Sequence, residues 1–93
     1  MGGSDKLDIL ERKFALSLLL LLREHETLNK KLIESALNST SGTVRDRVDE
    51  LVSEGFISIE ILKKKQNMHM ASLTEKGKRV AEKVSEIRDI LSR

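Results

Sequence analysis

The sequence contains no cysteine, no proline, no tryptophan and no tyrosine. Without cysteine, the protein can form neither disulfides nor thiolate metal sites, and it has no thiol nucleophile. Without proline, long helices can run uninterrupted. The only aromatic residues are two phenylalanines, so the core must be aliphatic, and a platform for stacking nucleic-acid bases is not expected.

Charged and aliphatic residues make up most of the chain, in a length that suits one domain. Of 93 residues, 34% are charged and 39% are hydrophobic, which is typical of a globular chain with one modest core. The net charge is only +2, so a polyanionic partner would have to be bound by local basic clusters. We expect a flexible tail or cloning remnant at residues 1–6 and one domain at residues 7–93.

The most apolar segment, Phe14 to Leu22, follows Arg12 and Lys13 in the manner of a secretory signal. However, acidic residues before it cancel the basic charge, and no small-residue cleavage site follows it. A helix that spans a bilayer also needs about 20 residues. We therefore expect a cytoplasmic protein with no membrane partner.

Apolar residues recur with helical period in four segments. The first, at residues 7–24, is apolar around most of its circumference, which predicts that a second subunit covers part of it. The second runs to about Leu37 and can be capped by Asn29 or Thr27. Its predicted inward residues are Leu32, Ile33, Ala36 and Leu37.

The third helical segment spans residues 41–54, with predicted core residues Val44, Val48, Leu51 and Val52. The last begins after Thr74 and carries a stripe that resembles a heptad seam, formed by Val80, Ala81, Val84, Ile87 and Leu91.

The period changes to two after Gly55, which predicts a hairpin of two strands. Alternating β-branched residues indicate a strand from Phe56 to Ile61, and Met68 to Leu73 is a plausible return strand. The tip of the hairpin spans residues 63–67. A run of cap and turn residues at 38–42 separates the second helix from the third. The predicted fold is α+β and mostly helical, a winged helix-turn-helix with three helices, a two-stranded wing and a C-terminal helix.

Two segments resemble winged-helix transcription regulators of the MarR and PadR kind. The stretch STSGTVRDRVDELVSEGFISIE is similar to their recognition helix and first wing strand. The stretch MASLTEKGKRVAEKV is similar to their second wing strand and the helix that follows it. Within it, Leu73-Thr74-Glu75-Lys76-Gly77 matches a Leu-Thr-x-x-Gly step that commonly closes the wing in those families. The resemblance covers residues 14–85.

This resemblance implies sequence-specific binding of double-stranded DNA to regulate transcription, usually by a dimer. The third helix would enter the major groove, and the wing tip would reach the backbone or the minor groove. The groove-facing positions carried over are Ser41, Gly42, Thr43, Arg45, Asp46 and Arg47. The wing-tip positions are Lys63, Lys64, Lys65 and Asn67, and Lys30 and Lys31 are added as a source of backbone affinity. We expect a homodimer formed by the first and last helices and no cofactor. The existence of a small-molecule effector is left open.

The charge of the third helix disagrees in part with this prediction. Residues 41–54 contain two arginines against four acidic residues, and such a helix would be repelled by DNA unless its distal acids point away from the phosphates. We therefore expect non-specific affinity to be low and to come largely from the wing and from Lys30 and Lys31.

Simpler interpretations are open for the same residues. The three lysines of the wing could form a solvated hairpin tip that discourages edge pairing. Arg45 and Arg47 could instead be surface partners of Asp49 and Glu50 in weak helix ion pairs. His25 and His69 are expected to be surface or structural residues and not metal ligands, and Met68 and Met70 are expected to be packing residues.

A winged-helix module that binds other proteins without binding DNA is the alternative function. The acidic half of the third helix and the small net charge favour it. An enzyme is not expected, because the two histidines are scattered and the sequence has no glycine-rich phosphate loop and no pair of carboxylates in an evident cleft.

Overall fold

A computed structural model of the protein describes residues 6–63 and 67–93. It contains four α-helices: α1 (Ala15–His25), α2 (Lys30–Leu37), α3 (Ser41–Ser53) and α4 (Glu75–Leu91). Three strands complete the fold: β1 (Thr27–Asn29), β2 (Ile57–Lys63) and β3 (Asn67–Leu73). A 3-10 helix (Lys6–Glu11) precedes α1. The prediction of an α+β, mostly helical chain is confirmed. The predicted tail covers residues 1–6, and the structure describes only Lys6 of these, as the first residue of the 3-10 helix.

The single helix predicted for residues 7–24 is two separate elements. The 3-10 helix ends at Glu11, and α1 begins only at Ala15. Between them Phe14 adopts a left-handed backbone conformation with a φ of 70°. That conformation is unfavourable for a residue with a bulky side chain and interrupts a right-handed helix. The Ala15 N–H donates to the carbonyl of Arg12 at 3.0 Å and closes a tight turn there. Periodicity predicted one helix because the apolar pattern continues across this turn.

The segment before α2 forms a third strand that the sequence pattern did not predict. β1 pairs antiparallel with β3, with Thr27 opposite Ser72, so the strand order is β1-β3-β2. Three residues are too few to show an alternating pattern, which explains the omission. Of the two predicted caps, Asn29 is the one used, because its Oδ1 accepts the Leu32 N–H at 2.9 Å. The predicted hairpin of β2 and β3 is confirmed, with Ile57 opposite Leu73 at its base and Lys63 opposite Asn67 near its tip.

The core is aliphatic and lies between the helices and the sheet. Its largest fully buried side chains are Leu18, Leu19, Leu22, Ile33, Val44, Val48 and Leu51. The predicted α3 stripe is confirmed except for Val52, which is 36% exposed. In α2 the predicted stripe was too wide, because Leu32 and Ala36 are exposed. Successive residues of a helix are rotated by 100°, so Leu32 points away from the core into which its neighbour Ile33 is packed.

α4 is longer than the elements on which it packs. Its residues Gly77, Ala81 and Ser85 are buried, and their small side chains lie four positions apart on the same face. Beyond Ser85 the helix leaves the core, so the predicted stripe residues Ile87 and Leu91 are exposed. Within the described ranges, every helix is too short or too polar to cross a bilayer.

The end of α3 and the start of α4 form a compact junction, here called the α3–α4 junction (residues 54–56 and 73–77). Gly55 adopts a φ of 83° and turns the chain from α3 into β2. Thr74 caps α4, since its Oγ1 accepts the Gly77 N–H at 3.0 Å. The same hydroxyl donates to the Gly55 carbonyl at 2.5 Å, and the Thr74 N–H donates to the Phe56 carbonyl at 3.0 Å. One threonine therefore ties both ends of the β2–β3 hairpin together.

Gly77 is required at this junction for steric reasons. A Cβ atom at this position would lie 2.0 Å from the Phe56 carbonyl oxygen, a backbone atom that cannot rotate away. Beside it, the Lys76 Nζ donates to the Glu54 carbonyl at 3.0 Å and lies 5.1 Å from the centre of the Phe56 ring. The Leu-Thr-x-x-Gly step of the sequence is thus a packing requirement that fixes the wing to α3.

Candidate nucleic-acid interface

The turn between α2 and α3 is built from the cap and turn residues that the sequence predicts. Asn38 ends α2 in a left-handed conformation with a φ of 51°, which asparagine tolerates better than most residues. The Ser39 N–H then donates to the Glu34 carbonyl at 3.1 Å. Thr40 caps α3, with its Oγ1 accepting the Thr43 N–H at 3.3 Å. This turn sets α3 at a fixed angle to α2 with the first residues of α3 at the surface.

The face of α3 opposite the core is exposed over its first two turns. Gly42, Arg45 and Asp46 are exposed, and Thr43 is half-buried. No heavy atom lies within 4 Å of the position that a Cβ on Gly42 would occupy. These four predicted groove-facing residues therefore lie on one accessible surface, together with the backbone of Ser41.

Arg47, the sixth predicted groove residue, is turned toward the protein. Its side chain is only 13% exposed. The Nε donates to the Lys13 carbonyl at 2.7 Å, across 34 residues of sequence, and the Nη1 lies 2.6 Å from the Glu50 Oε1. This geometry favours the alternative that pairs Arg47 with Glu50. Its second contact, to the turn before α1, has no signal in the sequence.

The acidic residues of α3 differ in their surroundings. Glu50 is half-buried beside Arg47, and Arg12 adds a second guanidinium with its Nε 4.0 Å from the same carboxylate. Asp46 and Asp49 are exposed. Arg47 and Arg12 compensate the charge of Glu50 within the protein. Because this pairing also takes Arg47 away from the exposed surface of α3, Arg45 still faces an excess of acidic residues, namely the exposed Asp46 and Asp49 and the half-buried Glu54.

The wing extends as a paired ribbon as far as Lys63 and Asn67. These two residues face each other across β2 and β3, and Lys63 is exposed. The predicted contact residues Lys64 and Lys65 lie outside the described residues. The exposed cation of Lys63 therefore stands at the end of a hydrogen-bonded ribbon whose base is buried in the core.

Lys30 and Lys31 form the first turn of α2. Both follow the Asn29 cap directly, with Lys31 exposed and Lys30 half-buried. Arg12 and Lys13, which were not among the binding residues predicted from the sequence, are also exposed and lie at the turn that Arg47 contacts. Exposed cations thus occur on three elements around α3.

Solved structures share this architecture. A MarR-family transcriptional regulator from Enterococcus faecalis matches with a TM-score of 0.83 and 22% identity, over 92% of this chain and 78% of that one. A MarR-family transcriptional regulator from Porphyromonas gingivalis matches with a TM-score of 0.81 and 18% identity, over 95% and 86%. A transcriptional regulator homologue from Pyrococcus horikoshii matches with a TM-score of 0.79 and 16% identity, over 91% and 86%. The chain has the winged-helix fold of MarR-family regulators.

The likeness of this winged helix to those proteins is in the backbone and not in the sequence. No protein-family model matches the chain, and no curated protein is significantly similar to it. The TM-scores of 0.79 to 0.83 establish the winged-helix fold, whereas identities of 16 to 22% carry no information about the roles of individual side chains.

The two histidines of the sequence lie on different elements of the winged helix. His25 ends α1 and His69 lies in β3, and both are exposed. Among the residues that the structure describes, no three histidine, aspartate or glutamate side chains come close enough to bind a metal ion together. Met68 and Met70 are half-buried in β3, as expected for packing residues.

Proposed function

We propose that the protein binds double-stranded DNA in a sequence-specific manner and regulates transcription, with α3 in the major groove and the wing tip on the backbone or in the minor groove. The observation that carries this proposal is the exposed first half of α3, which a capped turn presents at the surface of a winged-helix fold. Its solved neighbours include proteins named as transcriptional regulators.

The chemistry of the exposed α3 surface suits the edges of base pairs. Gly42 has no side chain, so the helix backbone can approach DNA closely there. The exposed guanidinium of Arg45 can donate two hydrogen bonds to guanine, and the carboxylate of Asp46 can accept one from cytosine. Arg47 is omitted from this surface because its guanidinium is bound to Lys13 and Glu50.

Cations outside α3 would provide most of the attraction to the phosphates. Lys63 stands at the end of the wing, where Lys64 and Lys65 follow it in the sequence. Lys30 and Lys31 stand at the start of α2. Phosphate contacts of this kind position a protein on DNA and give affinity that falls as salt increases, but they carry no sequence information.

A homodimer is part of the proposal. Leucine and isoleucine side chains remain exposed on three elements at the ends of the chain, and they are Leu7, Leu16, Ile87, Ile90 and Leu91. The 3-10 helix and α4 both contact α1, so these side chains lie on neighbouring elements, where exposed apolar groups favour association with another chain. A two-fold dimer would place two copies of α3 in successive major grooves, about 34 Å apart. Measurement of the solution mass tests this part, and a monomer at working concentration would contradict it.

A module that binds a protein partner is the second candidate. The exposed carboxylates of Asp46 and Asp49 favour it, because they would repel phosphates yet suit a basic protein surface. A stoichiometric protein partner recovered in a pulldown, together with no retention of any duplex, would decide for this candidate.

The deciding experiment is a titration of mixed-sequence DNA duplex at two salt concentrations. The variant replaces Lys63, Lys64 and Lys65 by alanine, and the matched control replaces three exposed basic residues of α4, namely Lys78, Arg79 and Lys83. We expect wild-type binding to weaken steeply with salt. The wing variant should have a smaller salt slope, by roughly one for each lysine that binds a phosphate. Binding with an affinity that does not change with salt concentration, or no binding to any duplex, would overturn the proposal.

A further inference from the structure

One polar contact connects α3 to the far end of the chain. The turn before α1, called the joint here (residues 12–14), lies against α3 and receives the side chain of Arg47. The donor is the Nε of a guanidinium that is mostly buried, and the acceptor is the main-chain carbonyl of Lys13 at 2.7 Å. A contact between such distant residues restricts how the two segments can move relative to each other.

We propose that Arg47 is a positioning residue that fastens α3 to the joint, and that it does not contact DNA. The contact itself is independent of the proposed function. Only the consequence for DNA, that α3 is held at a fixed position relative to the N-terminal segment, rests on that function.

Two of the three main-chain carbonyls in the joint accept N–H groups of α1, and the third accepts from α3. The Arg12 carbonyl accepts the Ala15 N–H at 3.0 Å, and the Phe14 carbonyl accepts the Leu18 N–H at 2.8 Å. The Lys13 carbonyl between them accepts from Arg47. Lys13 is an exposed residue, so the importance of this bond lies in the connection it makes between α3 and the joint and not in the satisfaction of a buried carbonyl.

The left-handed conformation of Phe14 needs support from outside its own turn. Phe14 stands at the N-cap position of α1, and its side chain makes no capping hydrogen bond. A conformation of this kind costs about 1–3 kcal/mol and persists only when the surroundings hold it. Arg47 binds the residue directly before it, which is where such support would act.

Glu50 orients the guanidinium. Its Oε1 lies 2.6 Å from the Nη1 of Arg47 in the same helix, and the two side chains are 30% and 13% exposed. With one edge held by Glu50, the guanidinium presents its Nε to Lys13. A lysine cannot reproduce this arrangement, because its ammonium is a single point charge, whereas the guanidinium is a planar fork with fixed donor directions.

The position of the joint gives the contact its significance. The joint connects the 3-10 helix, which exposes Leu7, to α1, which exposes Leu16. Both leucines belong to the surface proposed for dimerisation. Arg47 therefore connects that surface to the helix proposed for the major groove, so a displacement of the joint would be transmitted to α3.

Limited digestion with trypsin tests the contact without DNA. Trypsin cleaves after lysine, and the carbonyl of the bond after Lys13 is the one that Arg47 holds. We expect Arg47→Ala to speed cleavage after Lys13 roughly 10- to 100-fold, the range expected when a charged hydrogen bond is removed. Arg45→Ala is the matched control and should leave this rate unchanged. Equal rates in wild type and Arg47→Ala would overturn the proposal.

Two further variants keep the test decisive. Glu50→Ala leaves Arg47 in place without its orienting carboxylate and should also speed the cleavage, so it replaces Arg47→Ala if that variant does not fold. Arg47→Lys keeps the positive charge but lacks the fork. It should be cleaved like Arg47→Ala, and full protection in Arg47→Lys would overturn the proposal.

Titration of mixed-sequence DNA duplex then distinguishes a positioning role of Arg47 from a direct contact of Arg47 with DNA. We expect Arg47→Ala to weaken binding with an unchanged salt slope, whereas removal of a phosphate-binding residue lowers the slope by about one. A lowered slope in Arg47→Ala, restored in Arg47→Lys, would show a phosphate contact and overturn the proposal. If wild-type protein binds no duplex, the proposed function fails, and the rate of cleavage after Lys13 still decides whether Arg47 fastens the joint.

Discussion

The base and the tip of the β2–β3 hairpin consist of the same two strands, yet they are held in different ways. At the base, Ile57 and Leu73 face each other and are 2% and 8% exposed. Near the tip, Ile61 faces His69 on the same side of the ribbon, and Ile61 is 50% exposed. The alternation of residues continues unchanged from one to the other. What differs is the helical core, which covers only the base.

This difference separates the two tasks of the hairpin. The base is fixed by the α3–α4 junction, where Thr74 and Gly77 leave little freedom for substitution. At the outer end of the described ribbon Ile61 and Lys63 are exposed, so side chains there are not fixed by the core and can be selected for what they bind. Binding residues are often placed on loops that a rigid scaffold positions, and the wing has this form. Substitutions at the base should therefore change stability, and substitutions at the tip should change binding.

The largest effect on stability is expected at Gly77. In Gly77→Ala the new Cβ would overlap the Phe56 carbonyl oxygen, so α4 or the start of β2 must shift. We expect the free energy of unfolding in a denaturant titration to fall by about 3 kcal/mol or more. Gly42→Ala is the matched control, because it also lies in the first turn of a helix but has open space around it. It should raise the free energy of unfolding by about 0.5–1 kcal/mol. Equal effects of the two substitutions would contradict the steric explanation.

The comparison of base and tip is tested most directly within one strand. Ile57→Ala removes a buried side chain and should lower the free energy of unfolding by about 3 kcal/mol. Ile61→Ala, on the same face of β2, should lower it by less than about 1 kcal/mol because this side chain is half exposed. Denaturant titrations of both variants provide the test. A decrease at Ile61 as large as that at Ile57 would mean that the tip is covered by something other than the core, such as a second chain.

Thr74 should show a smaller effect. Thr74→Val keeps the shape but removes the hydroxyl that donates to Gly55 and accepts from Gly77, and thermal unfolding should show destabilisation by about 2 kcal/mol. The equivalent change at an exposed cap, Thr40→Val, removes the bond to Thr43 and should cost about 1 kcal/mol. If the two variants are destabilised equally, the bond from Thr74 to Gly55 adds nothing beyond ordinary capping.

The smallest effect on stability is expected for Lys63. Lys63→Ala removes an exposed side chain, so the free energy of unfolding should change by less than about 0.5 kcal/mol. The salt slope of duplex binding should nevertheless fall by about one. Lys78→Ala, at an exposed position of α4, is the control and should leave both quantities unchanged. An unchanged slope in Lys63→Ala would favour the interpretation of this lysine as a solvated residue of the hairpin tip.

Those features of the protein that depend on neighbours in the chain can be recognised in the amino-acid sequence. Helix caps at Asn29, Thr40 and Thr74 act within three residues, so cap residues at the starts of α2, α3 and α4 are local signals. Helical period identified the buried side of α3, and a period of two identified the hairpin. Together with the Leu-Thr-x-x-Gly step, these local signals were sufficient to predict the winged-helix fold.

Features that depend on distant contacts emerge only in the folded chain. Arg45 and Arg47 are the same residue type two positions apart in one helix, and no local pattern distinguishes them. In the fold Arg45 is exposed, whereas Arg47 binds a carbonyl 34 residues away. The same holds for β1, which is a strand only because β3 lies beside it. Caps and periodicity arise from interactions within a few residues, whereas these features arise from partners that the chain brings together only when it folds.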